Sequence, residues 1–217
     1  VTKINLTDQG TMYQTTTLFN AESTNENGRY MYTKPDATII DSNLWLYIGT
    51  GDLQKLNTLD SNVANRLYGI KDNNFPNFTN KSSPGTVAQC KTGSNNCPSS
   101  TDLGWYVNLD KSKKVTAEAT IDKNNVYFPV YEPKPTAKIC ERGNALLYTA
   151  NAKCGNAEFR KLGTGAPSKV IVQDNTLIIG ISGEADESLS SKGNLITIKS
   201  NQKPNTNKII LEGWKEN

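Results

Sequence analysis

The sequence of 217 residues contains no histidine, and this absence removes several kinds of chemistry at once. Ser-His-Asp and Cys-His arrangements are impossible, and the commonest general base of enzymes is missing. A phosphate-binding loop of the form GxxxxGK[ST] is also absent. The sequence therefore predicts a protein that is not an enzyme and that works through contacts with other molecules.

Long hydrophobic runs and an excess of one charge are missing as well. No apolar run approaches the roughly 18–20 residues that a membrane-spanning helix needs, so we expect no membrane span. The 24 basic and 21 acidic residues give a net charge of only +3. The sequence shows no basic stripe of the kind that follows a phosphate backbone, so we do not expect nucleic acid as a partner. Because the chain begins with Val1 instead of Met, we expect a mature or cut piece of an exported protein.

Sites for metals and phosphates are not indicated, and the sequence predicts no cofactor. The acidic run Glu184, Asp186 and Glu187 offers oxygen ligands, but it lacks the spacing and the turn-making glycine of a calcium loop, so a solvated loop is expected. The segments Gly49-Thr50-Gly51 and Gly163-Thr164-Gly165 do not fit GxGxxG followed by a helix. Each is interpreted as a turn that ends a strand.

Cysteine is scarce, but its four copies form two close couples in the sequence. Cys90 and Cys97 bracket a short loop, and Cys140 and Cys154 bracket a longer segment. Neither couple has the CxxC spacing of a zinc site, and no histidine could complete one. We expect two local disulfides, Cys90–Cys97 and Cys140–Cys154, formed in an oxidising compartment. Free buried thiols are the alternative.

One pattern recurs three times: an apolar strand, an Asp/Asn turn, and a second apolar strand that ends in Gly or Pro. It occupies Lys34–Gly51, Thr116–Pro133 and Pro167–Gly183. Each copy predicts a β-hairpin, because Asn and Asp tolerate left-handed backbone angles in turns. Repetition of an antiparallel unit is typical of blade-like all-β architectures, above all β-propellers. Propeller dehydrogenases with a quinone cofactor share this architecture, but this chain lacks their adjacent cysteines.

The remaining strands complete about three blades and about twelve strands, with no helix. Further strands are predicted at Thr11–Phe19, Arg29–Tyr32, Arg66–Lys71, Gly104–Leu109, Ala145–Ala150, Asn194–Lys199 and Lys208–Trp214. We expect one propeller-like domain, or the C-terminal portion of one, over residues 1–217, with a long loop insertion at about 72–103. The strand aromatics Trp45, Tyr47, Trp105, Tyr106, Tyr127, Phe128 and Tyr148 are expected to pack between blades.

Three blades cannot close a ring, since propellers have at least about four. The first and last sheets of an open arc expose apolar faces and edges. The chain is therefore expected to be part of a larger propeller, or to be completed by a partner chain.

Local motifs carry a family resemblance that extends over nearly the whole chain. In order along the sequence they are Tyr47–Leu53 (YIGTGDL), Leu67–Asp72 (LYGIKD), Gly104–Leu109 (GWYVNL), Lys114-Val115, Glu132-Pro133 with Cys140, Gly143 and Leu147-Tyr148, Gly163–Ser168 (GTGAPS) and Gly213–Glu216 (GWKE). This series resembles the propeller region of the PilY/PilC family of type IV pilus tip adhesins and assembly factors.

The resemblance implies a modified propeller at the C-terminal end of a longer exported protein, at the bacterial cell surface or in the periplasm. It implies pilus or pilin subunits as partners, and contact with a host or abiotic surface. The family's calcium loop, of the form D-x-D-x-D-G, has no counterpart here, and Arg-Gly-Asp is absent. Calcium-gated control and integrin-type binding are therefore not carried over.

Two functions follow as expectations. The first is an adhesin or assembly domain that acts without chemistry through protein and surface contacts. The second is a structural subunit that decorates or completes an extracellular filament together with a short helical pilin. The loops Asn73–Asp102 and Lys134–Gly143 are the best candidates for binding, because pinned loops on a rigid sheet can present a preorganised surface.

Overall fold

The protein is an all-β molecule built from antiparallel sheets. The computed structural model describes residues 1–6, 11–22, 29–59, 64–79, 81, 83–110, 112–134 and 141–200. Among these residues there is no α-helix, and two short 3₁₀ turns lie at Leu53–Lys55 and Val87–Gln89. The predicted fold class is confirmed.

Sixteen strands are present in the described part of the chain. They are β1 (Thr2–Ile4), β2 (Thr15–Thr17), β3 (Asp36–Ile40), β4 (Asn43–Gly49), β5 (Arg66–Asp72), β6 (Lys91–Thr92), β7 (Gly104–Asn108), β8 (Lys114–Val115), β9 (Thr120–Asp122), β10 (Asn125–Glu132), β11 (Asn144–Asn151), β12 (Ala157–Thr164), β13 (Ile171–Gln173), β14 (Thr176–Gly180), β15 (Ser190–Lys192) and β16 (Leu195–Lys199).

Three larger sheets follow one another along the chain as blades. The first sheet has the order β3-β4-β5-β7-β6, the second β12-β11-β10-β8 with β9 also on β10, and the third β13-β14-β16-β15. The short strands β1 and β2 form a separate pair. All pairings between strands are antiparallel except that of β6 with β7. In the described residues the series of sheets forms an open arc.

The three predicted hairpins are confirmed, and their turns use the left-handed backbone angles that Asp and Asn tolerate. Asp41 and Ser42 have φ of 49° and 62°, and Asp174 and Asn175 have φ of 44° and 65°. Two consecutive positive φ values are typical of a type I′ turn, whose twist matches that of the flanking strands. The turn between β9 and β10 has Lys123 at φ 56°.

Two hydrogen bonds link strand β9 of the second sheet to the first and third sheets. Ile121 in β9 donates its N–H to Asp36 of β3 at 2.9 Å. Thr120 donates its hydroxyl to the carbonyl of Val170, beside β13, at 2.8 Å. These bonds connect the three sheets through strands at their edges.

The hydrophobic core is divided between the sheets. Trp45, Tyr47 and Trp105 of the first sheet pack with Phe128 and Tyr148 of the second, and all five are buried. Tyr127 on the opposite face of the second sheet packs with the third sheet. The predicted aromatic packing is thus confirmed for these residues, while Tyr106 is only partly buried.

The outward side of the first sheet is covered by the N-terminal segment. Leu18 and Phe19 pack on Ile48, Tyr68 and Ile70, and all five side chains are buried. Phe19 and Tyr68 meet edge to face with ring centroids 5.2 Å apart. The central strands β4 and β5 of the first sheet are therefore largely buried on both faces.

Several strand predictions need correction. Thr11–Phe19 contains a strand only at Thr15–Thr17. Arg29–Tyr32 is not a strand, because this segment crosses the end of β4, where Tyr30 accepts a bond from the Gly51 N–H at 2.9 Å. The strand β12 was not predicted, because its residues 157–161 are all exposed and show no apolar alternation. The predicted strand Lys208–Trp214 lies outside the described residues.

Candidate interaction surface

The long loop between β5 and β7 is folded against the first sheet and the N-terminal segment. The N–H of Gly85 in this loop donates to the carbonyl of Leu18 at 3.1 Å, and the Gly85 carbonyl accepts from the Asn20 N–H at 2.8 Å. Further along, the Leu103 N–H donates to Gln89 at 2.8 Å, and the Leu103 carbonyl accepts from the Lys71 N–H at 2.8 Å. The loop is thus anchored at several points on a rigid sheet.

One disulfide joins this loop to the second sheet. It links Cys97 to Cys154, across 57 residues of sequence. The predicted pairs Cys90–Cys97 and Cys140–Cys154 are therefore wrong, since each would need a cysteine that is already bonded elsewhere. Pairing by nearness in sequence failed because the fold brings the loop against the turn that joins β11 to β12.

The turn that carries Cys154 is held by two buried aromatic side chains. The carbonyl of Ala152 accepts the Trp105 indole N–H at 2.9 Å and the Tyr47 hydroxyl at 3.1 Å. Gly155 in the same turn has φ of 71°, and a Cβ there would lie 2.3 Å from Trp105. Because this position requires glycine, the turn, the indole and the disulfide form one fixed unit, which we call the clasp.

Cys90 carries a free thiol with respect to the described residues. Its side chain packs against the core between the first sheet and the N-terminal segment. Burial raises the pKa of this thiol to about 12, so it stays protonated and unreactive at neutral pH. Cys140 lies outside the described residues.

The second predicted binding loop, Lys134–Gly143, is described only at its ends. Lys134 and Glu141 form an ion pair at 3.6 Å, and the Gly143 N–H donates to the Tyr131 hydroxyl at 2.9 Å. Gly143 precedes the start of β11, whereas the clasp follows its end, so the eight residues of this strand separate the two by roughly 26 Å. The structure does not bring the two predicted binding loops together.

Two adjacent lysines, which the sequence analysis did not single out, are buried beside the second sheet. The Lys114 ammonium donates to the carbonyls of Leu56 at 3.1 Å, Thr58 at 2.8 Å and Ser112 at 3.0 Å. It therefore fixes the loop after β4 by supplying a cation to three carbonyl oxygens. No pattern in the sequence distinguishes it from an exposed lysine.

Lys113 lies in a separate polar cluster. Its ammonium contacts Asp110 at 2.6 Å, Glu132 at 3.3 Å and the Tyr148 hydroxyl at 3.3 Å. Burial lowers the pKa of Lys113, but the hydrogen bonds to Asp110 and Tyr148 and the charge of Glu132 outweigh it and raise the pKa above its ordinary value. A lysine held protonated in this way is an ion-pair partner and a poor nucleophile.

The predicted strand-ending turns and acidic run lie as follows. β4 ends at Gly49, and a Cβ on that residue would be 2.4 Å from Val115, so the glycine permits close packing between the first and second sheets. Asp186 accepts from the Ser188 N–H at 3.1 Å and from its hydroxyl at 2.7 Å, and these bonds lower its pKa. In the described ranges no group of His, Cys, Asp and Glu side chains is arranged to hold a metal ion.

The last sheet of the arc exposes apolar side chains on its outward side. Ile171 is 60% exposed and Leu195 is 46% exposed, and Ile171 lies opposite Ile178 in the β13–β14 ladder. We call these three residues the terminal face. No helix in the described part of the chain is long and apolar enough to cross a membrane.

Together these features describe an open arc of antiparallel sheets with a long loop that is fixed by a disulfide. A solved structure of similar fold is the crystal structure of the C-terminal domain of PilY1 from Pseudomonas aeruginosa. It matches with a TM-score of 0.54 and 12% sequence identity, over 78% of this chain and 44% of that chain.

This likeness shows a PilY1-like fold. The present chain thus spans less than half the length of the PilY1 domain that it resembles. No protein-family model matches the sequence, and no curated protein matches it.

Proposed function

We propose that this protein is a non-enzymatic, exported component of a type IV pilus system that acts through protein–protein and surface contacts. The observation that carries the proposal is the likeness of fold to the PilY1 C-terminal domain, together with motifs that occur in the family's order along the sequence. The disulfide between Cys97 and Cys154 supports an oxidising, extracytoplasmic location.

The loop fixed by the clasp is the proposed contact surface. It lies against a buried aromatic scaffold, and its anchoring lowers the entropy that would be lost on binding. Ser94, beside β6, donates its N–H to the carbonyl of Cys154 at 3.2 Å, so the loop is held to the second sheet by backbone as well as by sulfur. A partner would therefore meet a preformed surface.

A second function is favoured by the terminal face. Exposed apolar side chains at the end of a sheet series are expected to be covered by another sheet or a partner chain. In that case the protein would be a structural subunit that completes a filament together with a pilin.

Immunogold labelling of native cells with antibodies against residues 1–200 distinguishes the two functions. Label at pilus tips or cell poles would support the adhesin or assembly role. Label that repeats along filament shafts would support the structural subunit, and label confined to the cytoplasm would refute both.

The contact surface is tested in a strain that lacks the protein and expresses variants of it. C97S/C154S is expected to reduce surface attachment or piliation while the protein is still exported. C90S is the matched control, because Cys90 lies outside the clasp and forms no disulfide with a described cysteine. Equal loss in both variants would argue against the clasped loop as the contact surface.

A further inference from the structure

The outer edge of β12 is the feature that the proposed function leaves unused. Residues Ala157–Lys161 are all exposed, and none of them bonds a described residue outside its ladder with β11. The corresponding edge of the first sheet is covered, since β6 pairs with β7. The end of β12 is covered too, because Asp186 donates its N–H to Leu162 at 2.8 Å. A five-residue edge is left open.

The backbone groups on this edge follow from the ladder. Asn151 donates its N–H to Asn156 at 2.9 Å where β11 and β12 begin to pair. In an antiparallel pair, successive residues direct their N–H and C=O alternately toward and away from the partner strand. Ala157, Phe159 and Lys161 therefore direct these groups outward. Open groups of this kind are a template for another strand.

Two side chains on the edge, Glu158 and Arg160, carry opposite charges on either side of Phe159. Glu158 lies opposite Thr149 and Arg160 lies opposite Leu147 in the ladder, so both lie on the face toward the third sheet. Phe159 lies on the other face, stacked on Tyr148 with ring centroids 5.2 Å apart, and is 57% exposed. Around Phe159 the sequence thus places an acid on one side and a base on the other.

We propose that β12 pairs with the β12 strand of a second copy of this chain, antiparallel and across a two-fold axis at Phe159. In this register Glu158 lies opposite the partner's Arg160, and Arg160 lies opposite the partner's Glu158. The two phenylalanine rings meet at the axis. Opposite charges that face each other across antiparallel strands stabilise the pairing, and like charges oppose it.

Neighbouring registers are disfavoured by the same charges. An axis at Glu158 would place two glutamates opposite each other, and an axis at Arg160 would place two arginines opposite each other. The charge order therefore selects the axis at Phe159. This inference rests on the edge itself and does not depend on the proposed role in pili.

The association is expected to be weak, because one five-residue edge is small beside the roughly 800 Å² that each partner buries in a standard interface. Sedimentation velocity from about 1 μM to about 1 mM covers the range of weak complexes. The wild-type chain is expected to shift from monomer to dimer as its concentration rises. A wild-type chain that stays monomeric throughout would overturn the proposal.

Charge exchange tests the register. E158R and R160E should each weaken dimerisation about tenfold, since each creates two like-charge contacts across the axis, and E158R/R160E should restore it. E187R and K192E are the matched controls, because they make the same charge changes at exposed sites outside the open edge Ala157–Lys161 and should leave association unchanged. Failure of the double variant to recover would overturn the register.

Two further variants separate edge pairing from a fold defect. A157P removes an outward N–H that the ladder with β11 does not use, so the fold should survive and dimerisation should fall. Circular dichroism checks the fold. In an oxidant, E158C mixed with R160C should form a disulfide-linked dimer, and neither variant alone should do so. Cross-linking of each variant with itself would contradict the proposed axis.

Discussion

Replacing Cys97 and Cys154 together with serine is expected to lower the free energy of unfolding substantially. The disulfide closes a loop of 57 residues, and in the chain-entropy model a loop of this length restrains the unfolded state by about 4 kcal/mol. A disulfide between Cys90 and Cys97 would close seven residues (97 − 90 = 7) and would contribute about 2 kcal/mol. The two pairings are therefore distinguished by how much each would raise the free energy of unfolding.

The contacts around the clasp hold the turn independently of the sulfurs, so most of this entropic restraint should appear in the free energy of unfolding. The hydrogen bonds from Trp105 and Tyr47 to Ala152 do not involve the sulfurs, so the turn is expected to keep its geometry while the loop loses its covalent link to it. The variant should therefore remain folded, with a melting temperature lower by about 10 °C for a chain of this size.

The assay is urea unfolding followed by tryptophan fluorescence, without reductant, on the wild type, C97S/C154S and C90S. C90S is expected to lose less than about 1 kcal/mol, because only a small buried group changes. Peptide mapping of the wild type should recover Cys97 linked to Cys154. A loss below about 1 kcal/mol in C97S/C154S, or a mapped Cys90–Cys97 bond, would refute the reasoning.

Three further predictions concern the buried groups. K114M should lower the free energy of unfolding in urea by about 2–4 kcal/mol, because three carbonyls lose their cation. The control K55M changes an exposed lysine in the loop after β4 and should change this free energy little. Equal effects would contradict the role of Lys114. G69A should lose about 1–3 kcal/mol by overpacking, since a Cβ there would lie 2.3 Å from Trp105, and an unchanged melting curve would count against that packing. Cys90 has a pKa of about 12 and should be alkylated far more slowly in the native protein at pH 8 than in urea, because the thiolate is the reacting form. Quantitative peptide mass spectrometry measures the two rates. Similar rates would contradict the burial of Cys90. The same raised pKa contributes stability below the unfolded thiol pKa of about 8.5 that is lost as the pH rises toward 12, so unfolding measured from pH 7 to 11 should show C90S to be less sensitive to alkaline pH.

The hairpins could be predicted because their information is local. Asp41 and Asp174 mark turns in which the residue type itself decides the backbone angle, and the apolar runs on either side determine the strands. The blade order followed from repetition of this unit. Nothing longer than about twenty residues was needed for either inference.

The clasp and the edge of β12 could not be predicted, because each depends on residues that are far apart in the sequence or exposed. Cys97 and Cys154 are 57 residues apart in the sequence and meet where the first and second sheets pack around Trp105. The exposed side chains of β12 lack apolar alternation, so the strand shows itself only through its ladder with β11. Lys114 likewise depends on distant residues, because the carbonyls of Leu56 and Thr58 lie more than fifty residues away in the sequence.

The two ends of the arc are unequal, and this gives the molecule a direction. At one end Leu18 and Phe19 seal the first sheet, while at the other Ile171 and Leu195 face outward. Among the described residues, the β13–β16 end therefore offers an open apolar face to a further sheet, whereas the N-terminal segment occupies the corresponding position on the first sheet. An assembly extended from this arc would therefore be polar, with one end covered by the N-terminal segment and the other end open.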